Sequence, residues 1–84
     1  MTIEQYYKEN PLHWVKHTVD DFRGGRCLMG ALEYCYPGAI VANQRYLAAL
    51  KRLTAVIGGS IVAFNDRDDT TFEDVIRVVR AAKV

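Results

Sequence analysis

The sequence predicts a mainly α fold: a compact bundle of four to five short helices with one short extended, β-like segment near residues 60–64, in a single domain spanning 1–84. Three observations predict it. Apolar residues recur at spacings of three and four, the period of one helix face. Asn10-Pro11, Gly24-Gly25, Pro37-Gly38 and Gly58-Gly59 cut the chain into helix-sized pieces. Half the residues are hydrophobic and a quarter charged, which suits a folded chain rather than a disordered one.

Each element follows in order. Thr2 and Gln5 have the spacing of a capping box, opening a short helix with Ile3, Tyr6 and Tyr7 apolar. Asn10 is a good N-cap and Pro11 suits the first helical position. Behind them Leu12, Val15, Val19 and Phe22 make one face of a second helix, widened by Trp14 and Thr18 and ended at Gly24-Gly25. The run RCLMGALEYCY is a third helix, lined by Cys27, Leu28, Ala31, Leu32 and Cys35. Gly30 in its middle costs about 1 kcal/mol relative to Ala, and one use for it is the close approach of a neighbouring helix. Residues 39–57 are the longest periodic segment, with Tyr46, Leu47, Leu50, Leu53, Thr54 and Ile57 as its stripe and Gly58-Gly59 as a left-handed stop.

Ile61, Val62 and Phe64 favour an extended backbone. A lone strand has no partner, so this piece either crosses the helices or pairs with a strand from elsewhere. The run from Asp66 to Asp74 then holds five acids in nine residues. Asn65 and Asp66 suit Asx-turns that redirect the chain. Thr70 and Glu73 have capping-box spacing ahead of Phe72, Val75, Ile76, Val79 and Ala82. The acids sit at the positive end of that helix dipole, with Arg77, Arg80 and Lys83 at the other end. Glu73 and Arg77 are spaced as an i, i+4 pair.

Composition bounds the function. A formal net charge of +1 argues against the uniform positive field of a nucleic-acid binder. The start MTIEQYYKEN lacks the basic-then-apolar order of a signal peptide, and the stretch AVIGGSIVAF is too short to cross a bilayer, so no membrane is expected and a cytoplasmic location is the default. Cys27 and Cys35 lie about 12 Å apart along one predicted helix, too far for a mutual disulfide. Free thiols suit a reducing compartment.

Metal chemistry has weak candidates. His13 and His17 are four apart, which puts two imidazoles on one helix face. Asp66 and Asp68 offer carboxylates, but from Asp66 onward the EF-hand pattern fails, with Thr71 where Gly belongs and Arg77 where Glu belongs. Zinc-finger spacing is absent, and so are a P-loop and a dinucleotide fingerprint. No catalytic residue and no cofactor are assigned.

The aromatics, including Tyr6, Tyr7 and Trp14, are numerous for so small a core; they suit core edges, since a thin core leaves large rings partly exposed. Tyr and Trp are enriched at interface hot spots.

Trp14, then Asp21 and Gly24, then Cys27-Leu28-Met29-Gly30-Ala31-Leu32, then Phe64-Asn65-Asp66 with Thr71 and Val75, form an ordered pattern over residues 14–82. That pattern resembles a family of small proteins from actinobacteria and their phages, in which Trp commonly stands where this chain has Phe64. The resemblance implies a bacterial or phage setting and no catalytic activity.

The expectation is a non-enzymatic protein-interaction module, in a phage or prophage setting an accessory protein that modulates a host protein. Two routes to a partner are drawn: an aromatic helix face at Tyr6, Tyr7 and Trp14, and strand addition at Ile61, Val62 and Phe64. The alternatives are a self-assembling homo-oligomer and a small metal-dependent enzyme or metal-binding protein.

Overall fold

The computed structural model describes residues 1–38, 41 and 43–84. Five α-helices are present among them: α1 (Ile3–Tyr7), α2 (Leu28–Cys35), α3 (Gln44–Ile57), α4 (Ile61–Asp66) and α5 (Phe72–Ala82), with a 3₁₀ turn at Pro11–His13. The mainly helical fold is therefore as expected. α3 lies along α5, α2 touches α1, α3 and α4, and α1 leans on both α2 and α5. Their shared core holds Ile3, Tyr7, Leu28, Leu32, Leu53, Ile61, Val75 and Val79, all essentially without solvent contact. The Val84 carbonyl accepts bonds from the Ile3 amide and the Tyr36 hydroxyl, tying the two ends of the chain together.

Local chemistry explains the helix ends. Thr2 and Gln5 form the expected capping box. Asn43 caps α3 by accepting from the Arg45 amide, and Gly58 ends it at φ 80°, where glycine is at home. The expected start of this helix at residues 39, 40 and 42 lies outside the described residues. α5 opens with a capping box one residue later than the sequence suggested. Thr71 accepts from the Asp74 amide and Asp74 accepts from the Thr71 amide. Thr70 is instead buried, its hydroxyl donating to the Phe64 carbonyl at 2.7 Å. Glu73 plays no part in the cap, and Arg77 pairs with Asp74 rather than Glu73.

Two expected elements are replaced. Residues 61–66 are helical, not extended. Ser60 caps this turn by accepting from the Ala63 amide, and the helix sends Ile61 and Asn65, four apart, into the core together. β-propensity at Ile61, Val62 and Phe64 yields here to tertiary burial. Strand addition through these residues is removed with it.

The second helix is also absent beyond its first turn. After Pro11–His13 the chain forms an irregular loop, 14–27, with isolated bridges from Trp14 and Asp20 to Arg26. Its proposed apolar face was never a core face: Leu12 is 79% exposed and Phe22 93%. Carboxylates in this stretch bond to nearby amides and so compete with helical bonds.

Candidate functional site

Among the described residues the loop 14–27 is a heavily tied irregular segment, and Asn65 is its anchor. Asn65 is fully buried on α4. Its Oδ1 accepts from the Trp14 indole Nε1 at 2.6 Å and from the Leu28 amide at 2.9 Å. Its Nδ2 donates to the Val15 carbonyl at 3.1 Å and to Asp66 Oδ1 at 2.9 Å. Both lone pairs and both protons of the amide are thus used. One side chain links the start of the loop, the start of α2 and its own neighbour. Asp66 extends the anchor by accepting from the His17 amide at 2.9 Å, and these bonds hold its carboxyl below the usual carboxylate range.

The far end of the loop is a tight hairpin-like turn. Asp20 Oδ1 accepts from the Phe22 amide at 2.7 Å. Asp21 Oδ1 accepts from the amides of Arg23 and Gly25, each at 2.8 Å, and these bonds hold its carboxyl below the usual carboxylate range. The Asp21 amide donates to the Gly25 carbonyl, and the Tyr6 hydroxyl donates to the Gly24 carbonyl. At the tip stands Phe22, with φ 60° and its ring almost wholly in solvent. A non-glycine residue in the left-handed region is strained by about 1–2 kcal/mol. The turn therefore holds the Phe22 backbone so that its side chain projects into solvent, at a cost in backbone energy.

Arg26 closes the loop base. Its guanidinium lies over the Tyr34 ring at 4.2 Å and the Tyr6 ring at 5.5 Å. It donates to the Tyr6 hydroxyl and pairs with Asp20 Oδ2 at 3.2 Å. Its backbone accepts from the Tyr7 hydroxyl and donates to the His13 carbonyl.

The sequence-derived candidates fall on this map unevenly. Tyr7 and Ile61 are core residues and present nothing to a partner. Tyr6, Trp14 and Phe64 are half-buried against the core, while Val62 is exposed on α4. Asn65 and Asp66 hold the loop, as described. His13 Nδ1 sits 3.1 Å from the Tyr7 carbonyl, so it donates there, and Nε2 faces the Asn10 amide at 3.5 Å. Both ring nitrogens are engaged. His17, solvent-exposed at φ 67°, has Nδ1 3.9 Å from Asp66 Oδ2. The backbone of Asp68 accepts from Lys16. Of the four metal candidates His17 and Asp66 alone meet; among the described residues no group of three or more His, Cys, Asp or Glu side chains could hold a metal ion.

The exposure of Phe22 and the role of Arg26 were not anticipated from the hydrophobic period. The signal was present in Asp20-Asp21-Phe22-Arg23-Gly24-Gly25, where Asp before Gly favours an Asx-turn over a helix. The hydrophobic period masked it.

A family model matches residues 11–83. The chain belongs to DUF6197, a family of unknown function. That stretch takes in the whole of the Asn65-anchored loop together with α2 to α5 of this DUF6197 chain. No curated protein and no solved structure matches. No helix is long and apolar enough to cross a membrane among the described residues.

Proposed function

We propose that this chain is a non-enzymatic protein-interaction module that presents Phe22 to a partner protein. The observation that carries the proposal is an aromatic ring 93% exposed at φ 60° on a turn held by Asp20 and Asp21. His17 shares the left-handed backbone and the exposure but is held beside Asp66, whereas the Phe22 ring combines strain with an apolar surface left in solvent, which favours a binding role over a packing role. A turn backbone fixed before contact also loses little entropy on binding. The partner surface moves from the predicted strand at 61–64 to the loop tip. The cytoplasmic bacterial or phage setting and the modulation of a host protein belong to the same proposal, on the strength of the sequence resemblance.

The test replaces Phe22 with a photo-crosslinking phenylalanine analogue and irradiates cells in which the protein normally acts. A discrete protein adduct is expected at position 22 and not at exposed Val62 on α4. An adduct of two copies of this chain would assign the surface to self-association instead. Equal labelling at both positions would overturn the reading.

A further inference from the structure

Beside the Phe22 loop lies a small cleft of about 270 Å³ whose lining includes Tyr6, Lys8, His13, Gly24, Arg26 and Tyr34. Gly24 belongs to the loop itself, two residues from Phe22 in sequence. Its charged side chains, Lys8 and Arg26, are cationic, and among the described residues no carboxylate lines it, Asp20 pairing with Arg26 from outside the lining. The larger groove along α5, about 830 Å³, differs in carrying both signs, with Glu9 and Glu73 opposite Arg77 and Arg80.

The cation at the centre of the small cleft is pre-organised. Two aromatic rings, the Tyr6 hydroxyl and Asp20 hold the Arg26 guanidinium in one place. Only part of its donor fork is used by those contacts, and a planar fork suits a carboxylate. Lys8 stands at the end of α1 in a left-handed conformation, and neither Lys8 nor Arg23 forms an ion pair among the described residues. Phe22 is followed in sequence by Arg23 and then by Gly24 and Arg26 of a cationic cleft, within a chain of nearly balanced charge.

We infer that this cleft receives carboxylate side chains, and that the partner of Phe22 is a protein segment rich in Asp and Glu around an apolar pocket. The inference rests on the interaction reading above and adds the chemistry of the partner. Charge complementarity of this kind orients the encounter and rejects cationic surfaces.

The test is a titration of the ¹⁵N-labelled protein with a capped hexaglutamate peptide and, separately, with a single-stranded hexanucleotide. The peptide should move the amides of Lys8, His13, Gly24 and Arg26. Lys8→Gln should weaken it by about threefold, the scale of one exposed ion pair, while Lys51→Gln on α3 leaves it unchanged. Absence of cleft shifts would overturn the inference, and so would equal loss in the two variants. Tighter binding of the oligonucleotide would assign the cleft to nucleic acid instead. Phe22→Ala should retain the peptide shifts, because the peptide carries no apolar pocket. Failure of the cleft and failure of the Phe22 reading are thereby separate results.

Discussion

The α3–α5 pair and the 14–27 loop are held by different forces. Tyr46, Ala49 and Leu53 on one helix and Val75, Ile76, Val79 and Ala82 on the other bury apolar surface at helical spacing. That stabilisation is non-directional and spread over many contacts. The loop buries little of its own. It depends on a few directional bonds, several to one residue, Asn65, which lies 51 positions from Trp14 in sequence. Helix packing degrades gradually when one side chain is lost, whereas a hub of buried polar bonds fails as a unit.

The sharpest way to break this comparison is to remove one fully buried side chain that holds each region, Leu53 for the helix pair and Asn65 of α4 for the loop. Leu53→Ala should cost about 2–5 kcal/mol and weaken the whole fold together. Asn65→Ala leaves the Trp14 indole, the Leu28 amide and the Val15 carbonyl without partners, each worth about 1–3 kcal/mol. A loss of about 3 kcal/mol or more is expected, concentrated in the loop. Trp14 is the only tryptophan, so its fluorescence reports the loop while far-UV circular dichroism reports the helices. In Asn65→Ala the fluorescence midpoint in denaturant should precede the dichroism midpoint; in Leu53→Ala the two should coincide. Coincident midpoints in both variants would show that the loop and the helices form one cooperative unit.

Gly30 tests the seam between the two regions. An alanine within a helix normally stabilises it by about 1 kcal/mol over glycine. Here a Cβ on Gly30 would press into the Val19 carbonyl, which also accepts from the Cys27 amide. The close approach anticipated for Gly30 is real, but the neighbour is the loop backbone rather than another helix. Gly30→Ala should therefore destabilise by about 1–3 kcal/mol, measured by thermal unfolding. A gain in stability would mean that the loop moves aside without loss.

This division also explains what sequence reasoning recovered. α2, α3 and α5 were found because their apolar period is the same quantity that packs them. The Thr2–Gln5 box and the Gly58 stop were found because caps are local chemistry. The loop was misread as a helix because Leu12, Val15, Val19 and Phe22 copy the helical period, yet Leu12 and Phe22 face solvent. Residues 61–64 were misread because a strand preference is weak beside the burial of Ile61 and Asn65. Asn65 was singled out as a turn residue, but its partners Trp14, Val15 and Leu28 are remote in sequence, and no local pattern encodes them. The same is true of Arg26, whose setting is made by Tyr6, Asp20 and Tyr34.

Acid separates the two regions with a smaller effect. Asp21 and Asp66 titrate below the ordinary carboxylate value of 3.8, chiefly because backbone amides of Arg23 and Gly25, and of His17, bond to the charged forms. A carboxyl whose folded value is depressed stabilises the fold above its unfolded value and loses that contribution as pH falls through the folded one. The loop should thus loosen below pH 3.8, when the turn at Phe22 and the His17 contact are protonated away. Asp74 is depressed in the same way by the Thr71 amide, but its loss only frays the first turn of α5, whose apolar face stays packed. On acid titration the Trp14 signal should change before helical dichroism does. In the double variant Asp21→Asn, Asp66→Asn, which keeps side-chain acceptors that do not titrate in this range, the two signals should move together. If the wild-type signals already coincide, the carboxylates of the loop contribute no more than the cap of α5, and the polar hub of Asn65 alone sets the difference between the two regions.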